Sequence, residues 1–254
     1  MIKGILLDLS GTLHVGDEAL PGAKNAVAKL QRQGLALRFV TNTSRKSRAI
    51  LHRQLEAMGF TIPKELLLTA PLAVRSYLES HRLRPYLLIH PDLQDDFADL
   101  PRHDPNAVVV GYAEDGFTYA AMNEAFRLLK EGAPLLATGK TRYFQGKDGL
   151  KLDTGPFLSA LEYAAETEAV VLGKPSPGFF HAAVATLGCR PQQVGMIGDD
   201  ARSDIAGAIA AGLQGVLVKT GKYRPGDEQL LPPSAGLADD IVDALRQILP
   251  KGTF

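Results

Sequence analysis

The sequence predicts an α/β protein built on a parallel sheet, with a second domain inserted into it. Three observations predict this. Short apolar runs rich in Val, Ile and Leu read as strands buried on both faces. Amphipathic segments of helical period follow them across short links, and strand–helix–strand order of this kind implies right-handed parallel crossovers. Between residues 79 and 169 the alternation continues, but no strand there ends in a polar cluster, so this stretch reads as a separate inserted unit.

The first strand is the apolar run Ile5, Leu6, Leu7, which delivers Asp8 to the place where a buried strand meets solvent, followed at once by a small-residue turn with Gly11 and Thr12. Ligands of open parallel sheets bind beyond the carboxyl ends of the strands, and Gly11 permits close backbone approach there. A loop leads to a helix over 23–33, stopped by Gly34, and then to a strand over 35–40 that ends in Thr41, Asn42, Thr43 and Ser44. A helix over 47–58 follows, closed by Gly59, in which His52 is an ordinary helix-face residue. Then come a strand over 66–69 and a helix over 70–81. The inserted stretch is read as strands over 86–89, 108–110 and 135–138, helices over 118–130 and 156–165, and a basic, glycine-rich loop or hairpin over 139–155. The first pattern returns with a strand over 170–172 ending in Gly173 and Lys174, a helix over 177–187, and a strand over 194–197 running into Asp199 and Asp200. A helix from about Ser203 and Asp204 to Gly212, a last strand over 216–218, and a terminal helix over 238–249 complete the chain.

Composition narrows the function. The 254 residues are enough for two ordinary domains, and 45% apolar with 22% charged residues is the balance of a soluble globular protein. Lys plus Arg equals Asp plus Glu at 28 each, so no global field draws the chain to nucleic acid or an anionic membrane. The expected partners are small molecules. The single cysteine, Cys189, leaves no internal disulfide or cysteine-based zinc site and reads as a small core residue. With no targeting segment or membrane-spanning run in the sequence, a cytoplasmic location is expected.

Four strand ends carry chemistry: Asp8, Thr41 with Asn42, Lys174, and Asp199 with Asp204. Gathered at one sheet edge, they would form a site of two or three carboxylates, one ammonium and one hydroxyl. Hard carboxylate oxygens suit a small hard cation that keeps several waters, so the set fits a phosphate bound beside Mg²⁺. Lys174 and Thr41 would hold the phosphoryl oxygens, and Asp8 would attack phosphorus to form an aspartyl-phosphate. Singly, these residues have plainer uses: a solvated lysine, a capping hydroxyl, a turn aspartate. Their shared position at strand ends favours the site.

In this order DLSGT (8–12), VTNTS (40–44), VLGKPSP (171–177) and MIGDDARSDI (196–205) resemble the four motifs of the haloacid dehalogenase superfamily. The insertion between the second and third motifs resembles that of phosphatases with a type C2 cap, and DPNAVVVG, GAPLLAT, DGL, GPF and TGKYRPGDE extend the similarity over nearly the whole chain. The resemblance implies a Rossmann-like core over 1–78 and 170–254 and an inserted α/β cap over 79–169 that covers the site and selects the substrate. It implies Asp8 as nucleophile and Mg²⁺ ligand, the main-chain carbonyl of Ser10 and the carboxylate of Asp199 as further ligands, and Asp200 and Asp204 in support. Gly11, Thr41, Asn42, Thr43 and Lys174 would bind phosphate. The implied substrate is a small phosphorylated molecule or a phosphorylated side chain, and a homodimer is a further expectation by analogy.

One position departs from the family pattern. Most phosphatases of this superfamily carry aspartate where this chain has Ser10, and that aspartate protonates the leaving group and then activates water. A serine hydroxyl has no useful pKa near neutrality. Leaving groups that need no such help, including phosphoramidates, pyrophosphate and aryl phosphates, should then be favoured. Two other readings stand beside the phosphatase: a weakly active or inactive phosphate- or phosphoprotein-binding module, and a phosphotransferase with another acceptor. Lys140, Arg142, Lys147 and Lys151 make the cap loop basic, either to favour an anionic substrate or as a solvated hairpin. Tyr143 and Phe144 would pack in the cap or at a dimer contact.

Overall fold

A computed structural model of the chain describes residues 1–146, 149–250, 252 and 254, so Lys147 lies outside the described residues. In chain order the elements are β1 (Gly4–Asp8), β2 (His14–Val15), β3 (Glu18–Ala19), α1 (Ala23–Arg32), β4 (Ala36–Thr41), α2 (Arg48–Ala57), β5 (Leu67–Thr69) and α3 (Ala70–Ser80). There follow β6 (Pro85–Leu88), β7 (Ala107–Val110), α4 (Tyr119–Lys130), β8 (Leu135–Ala137), β9 (Tyr143–Gly146), β10 (Gly149–Leu152), α5 (Thr154–Ala165) and β11 (Val170–Val171). The last group is α6 (Pro177–Ala185), β12 (Val194–Gly198), α7 (Gly207–Ala210), β13 (Gln214–Val218), β14 (Gly236–Ala238) and α8 (Ile241–Ile248). The chain gathers into two compact units, one of residues 1–41, 49–68 and 174–254, the other of residues 42–48 and 69–173.

The first unit is built on a six-stranded sheet in the order β14-β13-β12-β1-β4-β5. β1 pairs in parallel with both β12 and β4, with Leu7 opposite Ile197 and Asp8 opposite Val40. The chain leaves β1 toward β4 on one side and meets β12 on the other, so the reversal of strand order, the place where open parallel sheets bind ligands, falls at the C-terminal end of β1. That is where Asp8 lies. Ile5, Leu7, Ile197, Val216 and Val218 share one core with Val27 and Leu30 of α1 and Ile241 and Leu245 of α8. The alternating partners Leu6, Met196 and Leu217 are equally buried, so the sheet is covered on both faces.

The second unit carries a parallel sheet in the order β11-β8-β7-β6 and an antiparallel hairpin of β9 and β10. Val108, Val110 and Leu135 pack with Ala125, Leu129, Leu158 and Leu161 of α4 and α5, while Val109 and Leu136 pack with Val74 and Leu78 of α3.

The structure differs from the sequence reading in several places. The second unit takes in α3 and ends at Gly173, whereas the sequence reading set its limits at 79 and 169. Val74 and Leu78 face the second sheet, and β11 pairs with β8. The terminal helix begins at Ile241, because Asp240 caps it by accepting from the Asp243 N–H at 2.9 Å, and Ala238 instead closes a sixth core strand too short to show alternation. The helix expected from about Ser203 begins at Ala201 with a widened turn, because the Asp200 carboxylate accepts from the N–H groups of Arg202 and Ser203. Cys189 is half-buried, not in the core. Among the described residues no helix is long and apolar enough to cross a membrane.

Candidate active site

In the first unit, strand ends distant in sequence converge beyond β1 and β12. Lys174 follows the second unit's last residue in the chain and is 5% exposed, yet it carries a charge. Its ammonium donates to Asp8 Oδ1 at 2.5 Å and to Asp204 Oδ1 at 2.6 Å. Asp8 ends β1, and Asp204 lies in the widened turn after β12, where its other oxygen accepts from the Asp200 N–H at 3.1 Å. Burial works against the ammonium, but Asp204 and Asp8 overcome it and hold Lys174 above its usual range. Burial pushes the carboxyls of Asp8 and Asp204 up against the pull of Lys174, Asp204 to about 6.

Asp199, 2% exposed, completes the cluster: one carboxylate oxygen from each of Asp8, Asp199 and Asp204 lies within 4.8 Å of the others. Asp199 Oδ2 accepts from the Lys222 N–H at 2.8 Å, whereas its Oδ1 is buried with no hydrogen-bond partner. Burial is the main reason its pKa rises to about 6, opposed by the Lys222 N–H and reinforced by Asp204. Asp8, Asp199 and Asp204 stand around the buried ammonium of Lys174, the Lys222 ammonium nearby being paired with a fourth carboxylate, Asp200, and an orphaned buried anionic oxygen is costly. A small divalent cation fits this donor set on both counts, as hard oxygens and as balancing charge. Asp8 and Asp199 have oxygen capacity to offer it, while both oxygens of Asp204 are engaged by Lys174 and the Asp200 amide.

The glycines have steric reasons. Gly11 has φ +88°, and a Cβ there would fall inside the Asp199 carboxylate. A Cβ at Gly198 would meet the Asp204 carboxylate. Thr12 is buried and its hydroxyl has no partner, while Ser10 is exposed in a single bridge to His14. Thr41 is buried at the end of β4 in the first unit. Asn42 and Thr43 are half-buried and pack with the second unit, where a Cβ at Gly173 would lie 2.9 Å from Asn42 Oδ1. The structure therefore brings Asp8, Gly11, Lys174, Asp199, Asp200 and Asp204 together within one unit, and assigns Asn42 and Thr43 to the other. Asp200 does not face the carboxylate cluster with its side chain: Oδ1 caps the following turn and Oδ2 pairs with Lys222 at 2.8 Å. Burial opposes its charge, but Lys222 and the Ser203 N–H keep its carboxyl well below the usual range.

Sequence reasoning missed the segment after β13. Thr220 Oγ1 donates to the Gly11 carbonyl, and the Lys222 N–H reaches Asp199. The polar end of β13 was the available signal. In the second unit, Lys140 pairs with Glu162 at 2.7 Å, so it is not a free cation for a substrate, and Phe144 packs edge-on to Tyr112 and under the Arg45 guanidinium while Tyr143 stays exposed. His52 sits on α2, with Nε2 2.8 Å from the Ile62 carbonyl.

Comparison with known proteins agrees with this geometry. Residues 5–100 match the family model described as haloacid dehalogenase-like hydrolase, and residues 171–247 match one described as HAD-hydrolase-like. The chain is 47% identical over 233 residues to the rat haloacid dehalogenase-like hydrolase domain-containing protein 2, covering 92% of this chain and 90% of that protein. It is 41% identical over 255 residues to the human phospholysine phosphohistidine inorganic pyrophosphate phosphatase, covering 98% and 94%. Among solved structures, the Thermotoga maritima 4-nitrophenylphosphatase superposes with a TM-score of 0.88 at 25% identity, covering 98% of both chains. The Archaeoglobus fulgidus p-nitrophenyl phosphatase gives 0.88 at 26% identity, covering 97% of this chain and 99% of that one. The chain belongs to the haloacid dehalogenase-like hydrolases, and within them to the phosphatases.

Proposed function

We propose that the chain is a Mg²⁺-dependent phosphatase that works through an aspartyl-phosphate on Asp8. One observation supports this above the others: a buried carboxylate at the end of the central strand, 2.5 Å from a buried lysine, beside an aspartate whose second oxygen has no partner. Asp8, Asp199 and the main-chain carbonyl of Ser10 would hold the cation, which when bound would offset the charge on the phosphoryl oxygens.

The chain's own residues then divide the work. Thr41 and the turn at Gly11 bind the phosphoryl group, and Lys174 reduces the repulsion between its oxygens and the approaching carboxylate. An Asp8 oxygen forms a bond to phosphorus as the bond to the leaving group breaks, and the leaving group carries away the electron pair. Water then attacks the phosphorus, a proton goes to solvent, and inorganic phosphate leaves with Asp8 restored as a carboxylate. Asp204, held by Lys174 and the Asp200 amide, fixes the ammonium in place.

Ser10 shapes the substrate range. Without a carboxylic acid there, the leaving group has to depart with its own proton or as a stable anion, which favours phosphoramidates, pyrophosphate and aryl phosphates over alkyl phosphates. The names of the relatives include substrates of each of these kinds, phospholysine and phosphohistidine, pyrophosphate, and 4-nitrophenyl phosphate.

The test is phosphate release across alkyl phosphates, aryl phosphates, pyrophosphate and phosphoramidates, with and without Mg²⁺. Mg²⁺-dependent release that disappears in Asp8→Asn, ranked by leaving group, is the expected result. Equal rates on sugar phosphates and phosphoramidates would overturn the role given to Ser10. Tight Mg²⁺-dependent phosphate binding with no turnover on any member would favour the binding-module reading instead.

A further inference from the structure

The segment Thr220, Gly221, Lys222 touches neither reacting group assigned above, yet it grips the site from two sides. The Thr220 hydroxyl donates to the carbonyl of Gly11, in the turn directly after the strand that carries Asp8. Two residues on, the Lys222 N–H donates to Asp199 Oδ2 at 2.8 Å, and the Lys222 ammonium pairs with Asp200 Oδ2 at 2.8 Å. Asp200 is itself anchored, because its other oxygen accepts from the N–H groups of Arg202 at 3.0 Å and Ser203 at 2.8 Å. Between the two grips lies Gly221 at φ +61°, where a Cβ would collide with both Gly11 Cα and Asp199 Oδ2. The segment is therefore packed into the angle between the Gly11 turn and Asp199 with no room for a side chain.

An aspartate can turn about its χ angles and present either oxygen. Here Oδ2 is tied to a backbone N–H while Oδ1 is buried without a partner, so one orientation has been selected and the free oxygen is presented by the fold. We propose that Thr220 and Lys222 form a brace that holds Asp199 and the Gly11 turn in register, and thereby sets the affinity of the site for its divalent cation. Both are positioning residues that contact neither the cation nor the phosphoryl group. The inference rests on the cation reading of the Asp8–Asp199 pair and adds what orients it. Pre-set ligands bind tightly because the orientation is fixed before the cation arrives.

The experiment is calorimetric titration of the full chain with Mg²⁺ alone, with no substrate, for the wild type, Thr220→Val, Thr220→Ser and Lys222→Met, alongside thermal unfolding in EDTA. Binding of Mg²⁺ by the wild type tests the cation reading, and the ratio of variant to wild type tests the brace. The expected result is a Kd raised about tenfold in Thr220→Val and restored by Thr220→Ser, which keeps the hydroxyl. Lys222→Met separates brace from charge by sign. If Lys222 acts only as a positive charge near the site, its removal tightens Mg²⁺ binding; if it anchors the brace, removal weakens binding about threefold. Unchanged affinity in Thr220→Val, tighter binding in Lys222→Met, or a loss of unfolding temperature with Mg²⁺ affinity intact would each overturn the proposal. Failure of the wild type to bind Mg²⁺ would overturn the cation reading and the brace together.

Discussion

The two sheets of this protein share an architecture and differ in chemistry. Each is a parallel sheet flanked by helices, and in each the central strands are buried along their length. At the C-terminal end of β1 in the first unit stands Asp8, locked to a buried lysine; β7 in the second runs through Val110 to Gly111 with no charged group. β8 ends beside Thr138, whose hydroxyl is buried and has no partner. Parallel pairing thus supplies a location for a ligand at a strand end, but the carboxylates, lysine and glycines around it supply the site.

That contrast can be broken at several points. If Asp8 is the nucleophile, Asp8→Asn should lower phosphate release by about 10³-fold or more, since Asp204 is engaged with both oxygens and Asp199 is assigned to the cation, and a rate assay with the folded variant checks it. Lys174→Met should cost about 3–5 kcal/mol of stability in Mg²⁺-free denaturant unfolding, because it leaves Asp8 and Asp204 buried without their counter-ion. Leu136→Ala, in the centre of the second sheet, should cost about 3 kcal/mol by cavity formation and leave Mg²⁺ affinity within twofold. A matching loss of Mg²⁺ binding there would show that the two units are not chemically separate. Ser10→Asp should raise turnover of alkyl phosphates by about 10²-fold and change aryl phosphates far less.

The smallest effect concerns pH. Without a cation, Asp199 and Asp204 titrate near about 6, above the range of an unfolded aspartate, so the folded state binds more protons than the unfolded state between about pH 4 and pH 6. Stability of the cation-free protein should therefore fall as pH rises through that window and level off above it. On the proposed cation reading Mg²⁺ would bind only the ionised carboxylates, so the rise in Tm on adding Mg²⁺ should be small at pH 5 and larger at pH 7. A Tm increment independent of pH would count against the cluster as the cation site.

Much of this was legible because strand ends in a buried parallel sheet are marked by abrupt change. Ile5 to Leu7 followed by Asp8, and Met196 to Gly198 followed by Asp199, announce both a strand and its ligand end. Elements lacking such a boundary were lost or misplaced. β14 has only three residues and follows a proline-rich stretch, and β11 reads like any other short β-branched run while pairing with β8 of the second sheet. The cap on Ile241 by Asp240 is local, yet Asp239 and Asp240 together offered no reason to choose the second.

The sequence by itself determined the alternation of strands and helices, the family, and the identities of the carboxylates and lysine, because hydrophobic period and residue type are properties of neighbouring positions. Only the tertiary structure decided how those groups share their oxygens. Asp204 serves Lys174 with one oxygen and the Asp200 amide with the other, Asp200 turns away to cap a helix and pair with Lys222, and Asp199 keeps one oxygen free because a backbone N–H from the loop after β13 takes the other. The partnerships with Lys174 and Lys222 are set by directions and distances between chain segments far apart in sequence, which no local pattern encodes; the turn bonds of Asp200 are local, but which oxygen they leave free is not.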